Sequence, residues 1–134
     1  MTPQELDAIA ITLTTGETPR LIFSLQGDFL QRMGDGSAQP DLPDMFQGPA
    51  PAQLLTTLAG QVDPELLVRS RSLRVDEGQE RTVLVLRFEG AGEVREVRFD
   101  SVSSAPPPSV QGLVAAAVAL TERWYAQQAS LSAL

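Results

Sequence analysis

Cysteine, histidine, lysine and asparagine are all missing from this chain of 134 residues, and all ten basic residues are arginine. Each absence removes a class of chemistry. Without cysteine there are no disulfides, no thiolate nucleophile and no zinc–sulfur site. Without histidine the commonest general base and metal ligand is gone. Without lysine neither a Schiff base nor a P-loop lysine can be built. An enzyme made from this sequence would have to work with carboxylates, hydroxyls and guanidinium groups. Lysine and asparagine codons are AT-rich, so the bias toward Ala, Pro, Gly and Arg points to a GC-rich bacterial genome.

Long apolar runs are missing too. No window approaches the about eighteen apolar residues of a membrane span. Met1 to Asp7 has no basic segment leading into an apolar core. Neither a membrane partner nor a secretory leader is therefore expected, and the cytoplasm is the default location. The net charge of −7 repels phosphate backbones, which removes nucleic acid from the expected partners. An acidic balance serves solubility first and leaves room for a basic partner. What is present is apolar enough to fold: 43% of residues are hydrophobic, and the length suits one domain over residues 1–134.

The strongest periodic signal is the last one, Ser109 to Leu131. Val110, Leu113, Ala117, Leu120, Trp124 and Leu131 share one helical side, with Gln111, Ala115 and Glu122 opposite. The only tryptophan and the only tyrosine lie here, so this helix is expected to organise the core. Upstream, Thr2-Pro3-Gln4-Glu5 reads as a capping box with room for a turn. Ala8–Thr14 and Leu21–Leu25 alternate as half-buried strands, and Phe29–Met33 is a third short strand. Gly34 to Pro51, rich in Gly, Pro and Asp, reads as a loop. Ala52–Ala59 is a short helix capped by Gly60, and Asp63 to Val68 adds a turn or two. Leu73–Asp76, Arg81–Glu89 and Glu93–Asp100 read as strands, with turns at Glu77-Gly78-Gln79 and Gly90-Ala91-Gly92. A Ser/Pro linker, Ser101 to Pro108, precedes the last helix. Leu21-Ile22-Phe23-Ser24-Leu25-Gln26-Gly27 resembles Leu84-Val85-Leu86-Arg87-Phe88-Glu89-Gly90, which raises an internal duplication of ββ(β)α units.

The expected fold is therefore α+β. A mostly antiparallel sheet of five or six strands packs on the long C-terminal helix and a shorter middle helix, in ββ(β)α-βββα order. The predicted core is Ile9, Ile11, Leu13, Leu21, Phe23, Leu25, Leu54, Leu58, Val83, Val85, Val97, Phe99, Leu113, Leu120 and Trp124. Ile9 to Thr14 carries no charge and no proline, which marks it as an edge open to a homodimer.

Catalytic motifs are sparse. Gly34-Asp35-Gly36 lacks the spacing of a phosphate loop, and Gly90-Ala91-Gly92 is a hairpin turn. Asp35, Asp41 and Asp44 lack the calcium-loop pattern and read as a solvated acidic loop. Ser101, Ser103, Ser104 and Ser109 have no GxSxG elbow and no histidine to activate them. No catalytic residue, metal or cofactor is assigned, although a carboxylate pair needs only proximity in space. The candidate partner-binding residues are Met45 and Phe46, large apolar side chains in a polar loop, with the cluster Arg69, Arg71 and Arg74. Apolar anchors and arginines are typical of interface centres. The competing readings are that Phe46 plugs the core and that the arginines pair with neighbouring-strand acids such as Glu93 and Glu96.

The strand and helix layout resembles small bacterial ββαβββα domains such as the emfourin-type inhibitors of metalloproteases. Thr14-Thr15-Gly16-Glu17 departs from that pattern in having no paired glycines after the first strand. The acidic α+β build is also similar to type III secretion chaperones, which open with a longer helix than Pro3 to Asp7 permits. Neither resemblance transfers a functional residue. The expected function is a non-catalytic binding or regulatory protein with a protein partner: an inhibitor, an immunity-like or a chaperone-like module. The alternative is a small-ligand carrier or a carboxylate-dependent enzyme with a pocket between sheet and helix. A closed sheet–helix interface favours the first; a cavity of several hundred Å³ lined by acids and arginine favours the second.

Overall fold

Alternating apolar and polar residues make strands of Leu6–Thr15 (β1), Thr18–Gln26 (β2) and Phe29–Gly34 (β3), joined by tight glycine turns. This computed structural model describes residues 1–37, 41–68, 71–74, 82–101 and 106–133, of which 71–74 and 101 are described by backbone alone. The chain continues through Met45–Pro49 (β4), a short helix Leu54–Ala59 (α1), Arg71–Arg74 (β5), Thr82–Gly90 (β6), Glu93–Ser101 (β7) and a helix Pro108–Ser132 (α2). Two 3-10 turns, Pro3–Glu5 and Pro64–Leu67, precede β1 and β5. The first is the expected capping box, in which the Glu5 carboxylate accepts from the Thr2 N–H at 3.0 Å and the Thr2 hydroxyl at 2.9 Å.

The sheet order is β4-β3-β2-β1-β6-β7-β5. Its first six strands are antiparallel neighbours, and β5 adds a parallel seventh against β7. The α+β class, the mostly antiparallel sheet and the two helices are as the sequence predicts. The stretch from Gly34 to Pro51 is not all loop, because Met45–Pro49 pairs with β3. Its Pro49 is tolerated as the last residue of an edge strand. The predicted turn at Glu77-Gly78-Gln79 lies outside the described residues.

Ile9 to Thr14 is no edge. β1 is bonded on one side to β2 and on the other to β6, so its pairing groups are occupied within the chain. The edges are β4 and β5. The two similar heptapeptides fall in β2 and β6 and flank β1 in matching register. Leu21 and Leu84 both face Leu13, Phe23 and Leu86 both face Ile11, and Leu25 and Phe88 both face Ile9. Each is followed by an antiparallel partner, β3 after β2 and β7 after β6, whereas the preceding strands differ: β1 pairs with β2, and β5 lies beyond β7. The likeness marks equivalent packing positions on the two sides of β1.

One face of the sheet is covered. Rows such as Phe46–Arg32–Phe23–Ile11–Leu86–Val97 cross six strands and lie under the helices. Leu54, Leu58, Val62, Leu66 and Leu67 join them from α1 and the turn that follows, and Val110, Leu113, Ala117 and Trp124 from α2. Each fully buried Val, Leu, Ile or Phe among them contributes about 1.5–3 kcal/mol by leaving water. Two phase corrections follow. In β6 the fully inward residues are Leu84, Leu86 and Phe88, and the predicted Val83 and Val85 are only half-buried on the other face. On α2 the stripe runs through Thr121 rather than Leu120, which is 43% exposed, and Leu131 also faces solvent. Leu13 is partly buried.

Candidate functional site

α2 starts cleanly because Pro106-Pro107 holds extended backbone and Pro108 suits the first helical turn. Its core stripe is flanked by Gln111, Val114, Ala115, Val118 and Ala119. Below this flank lies a row of large side chains, Leu13 of β1, Leu84 of β6 and Phe99 of β7, in direct cross-strand register. Alanine and valine are too small to close the gap, and a groove of about 620 Å³ remains between helix and sheet. Asp35, Gly36, Thr82 and Pro106 complete its described wall.

The polar groups on that wall are already engaged. The Asp35 carboxylate accepts from the Ser37 N–H at 2.9 Å and from the Ser37 hydroxyl. Those bonds hold its pKa below the ordinary aspartate range, so it is anionic at neutral pH. The Gly36 N–H donates to the Arg20 carbonyl at 3.0 Å. The Thr82 hydroxyl lies 3.2 Å from that of Thr15, and the Gln111 amide donates to the Pro106 carbonyl at 2.6 Å. The groove thus selects by shape and apolarity, with one fixed negative charge on its wall. Asp35 is the one acid among its described lining residues, and none of these is arginine. Among the described lining residues there is no acid–arginine pair.

Farther along α2 sits a buried charge that the sequence reading missed. Arg32 of β3 is fully buried. Its Nε donates to the Gly34 carbonyl at 2.9 Å. Nη1 donates to the Thr121 hydroxyl at 3.1 Å and the Val118 carbonyl at 3.3 Å, and Nη2 to Glu122 at 2.8 Å. The Tyr125 ring lies 4.5 Å from its guanidinium carbon. Burying a lone charge costs several kcal/mol, which only a full set of partners offsets. Arg32 has that set and is a structural clamp between β3 and α2. Glu122, placed on the outer side of the helix by periodicity, reaches back to complete it. One signal was available: Leu30 and Arg32 share the inward phase of β3, and an inward arginine demands an acid.

Two aromatic residues fasten the β4 edge. The Trp124 indole N–H donates to the Pro49 carbonyl at 2.8 Å. The Tyr125 hydroxyl donates to the Asp44 carbonyl and accepts from the Gly34 N–H. Gly34 has φ +76, and any Cβ there would collide with the Arg20 carbonyl.

The predicted partner-binding residues are dispersed. Met45 and Phe46 are neighbours on β4 and point to opposite faces. Phe46 packs edge-on against Tyr125, ring centroids 5.4 Å apart, as a plug at the rim of the core. Met45 is 44% exposed on the other face. Arg69 lies outside the described residues, and Arg71 and Arg74 are the two ends of β5. β5 and β4 are opposite edges of the sheet, so the backbone of Arg71 and Arg74 lies at the far edge from Met45 and Phe46. Asp35, Asp41 and Asp44 form no metal cluster, and no group of three acids converges elsewhere among the described residues. Among those residues, no helix is long and apolar enough to cross a membrane.

No protein-family model, curated protein or solved structure matches the chain.

Proposed function

We propose that the chain is a non-catalytic binding module whose groove between α2 and the β1–β6–β7 end captures an apolar segment of a protein partner. The observation that carries this reading is the combination of an apolar groove of about 620 Å³ with polar wall groups satisfied inside the chain. Those bonds hold the wall groups in place, so apolar contact supplies most of the recognition. From Gln111 to Ala119 the helical wall is about 12 Å long at the ordinary helical rise, room for two turns of a partner helix. The anionic Asp35 and the net charge of −7 favour basic residues flanking that segment.

A second reading is a carrier of a small apolar ligand, since pockets for such ligands span about 300–1,000 Å³. Nile red, a neutral apolar dye, separates the two. The protein should bind it with a blue-shifted emission, and Val118→Glu, on the groove wall, should abolish that signal while leaving the fold intact. A leucine–lysine amphipathic peptide should displace the dye and a leucine–glutamate peptide should not. Displacement by neither peptide favours the carrier. Dye binding unchanged in Val118→Glu removes the groove from both readings.

A further inference from the structure

The second face of the sheet is covered by neither α1 nor α2. Register defines its outward residues. One row runs Met45–Met33–Ile22–Thr12–Val85 across five adjacent strands and ends at Arg98 of β7. The next runs Gln47–Gln31–Ser24–Ala10–Arg87–Glu96. An apolar stripe is thus bordered by polar residues, the order found at protein interfaces. Relief is present in both senses. Met45 and Phe29 stand out, 44% and 43% exposed. The small residues Ala8, Ala10 and Ser24 floor a depression of about 290 Å³ walled by Gln26, Arg87 and Glu89.

We infer that this open face is the interface of a homodimer in which two copies stack sheet on sheet. Knob and hollow on one surface are what a two-fold contact requires, because each copy then donates and receives once. The charges agree. The solvent-accessible outward positions of β6 and β7 hold Arg87 and Arg98 against Glu89 and Glu96, a balanced set in a chain of net charge −7. Two copies of an acidic protein repel least when they meet through their most nearly balanced face. The area is adequate as well. Six strands and the seven residues from Ala8 to Thr14 give a footprint of about 24 by 20 Å at ordinary strand spacing and rise. Side chains standing on that footprint expose more area than it measures, within reach of the ~800 Å² per partner of a standard interface. Stacked sheets would sit about 10 Å apart, with the apolar row as their shared core.

Sedimentation equilibrium tests this on the full chain. Near 100 µM, an ordinary concentration for the method, the protein should run at twice its 14.4 kDa chain mass. Ile22→Glu and Met45→Glu should each raise the dimer dissociation constant by more than about tenfold, with far-UV spectra unchanged. Met45→Glu, at the more exposed position, decides the matter if Ile22→Glu does not fold. Val118→Glu, in the groove on the other face, should remain dimeric, which separates this result from the fate of the groove reading. Raising salt from low to physiological should tighten the dimer by screening the net repulsion. A wild type that stays monomeric up to about 1 mM overturns the inference, as does a dimer that neither open-face variant weakens.

Discussion

The two faces of this sheet are made by the same strands and obey different rules. The covered face holds Ile9, Ile11, Leu21, Phe23, Leu25, Leu86 and Phe88, all almost wholly removed from water, and its fully buried charge, Arg32, donates four hydrogen bonds. Beside its apolar row of Met45, Met33 and Ile22, the open face holds Ala8, Ala10, Thr12, Ser24 and Val85, smaller or more polar side chains than those they back onto. Large apolar residues concentrate where helices can seal them, and what remains opposite is mildly apolar and nearly neutral. Folding energy therefore resides on one side of the sheet, leaving the other available for association.

Mutations that act on one face and spare the other can break this contrast. The largest effect should come from Trp124→Ala, which opens a cavity over Gly48 and frees the Pro49 carbonyl. It should cost about 3–5 kcal/mol in a urea titration. A loss under about 1 kcal/mol would mean that α2 does not hold the covered face. Next is Glu122→Ala, which leaves the buried Arg32 charge with neutral acceptors only; the expected loss is about 1.5–3 kcal/mol, partly restored in Glu122→Gln. Equal stability of Glu122→Ala and wild type would show that water replaces the carboxylate. The finest comparison lies on β4, between adjacent residues. Phe46→Ala should lower stability by about 2–3 kcal/mol, and Met45→Ala, on the open side, by no more than about 0.5 kcal/mol. Thermal melts of the two variants that coincide would erase the distinction between the faces.

Much of the fold was legible because strands and helices announce themselves by period. The 2-residue alternation placed β1 and β2, and the 3.6-residue stripe placed α2 to within one residue of its ends. What failed did so for physical reasons. In β6 both phases are apolar, Val83 and Val85 against Leu84, Leu86 and Phe88, so alternation alone could not pick the buried set. The match of this segment to Leu21–Gly27 carried the right phase, because Leu21, Phe23 and Leu25 align with Leu84, Leu86 and Phe88. Thr121 was passed over for Leu120 because a hydroxyl looks misplaced in a core until Arg32 is there to meet it. The groove was legible only as a general pocket between sheet and helix. Its existence depends on which residues fail to fill space, and small side chains such as Ala115 and Ala119 carry no periodic mark.

The clamp at Arg32 also sets the order of events during synthesis. Its carboxylate partner is 90 residues further along the chain. At about 5–20 residues per second, Arg32 is synthesised roughly 5–20 s before Glu122 exists to receive it. Through that interval β3 cannot bury its inward side without stranding a charge, and β4 lacks the indole and phenol that pin its ends. The covered face must wait, wet and unsealed, for the last helix. Native packing of the covered face therefore begins only once α2 has been made.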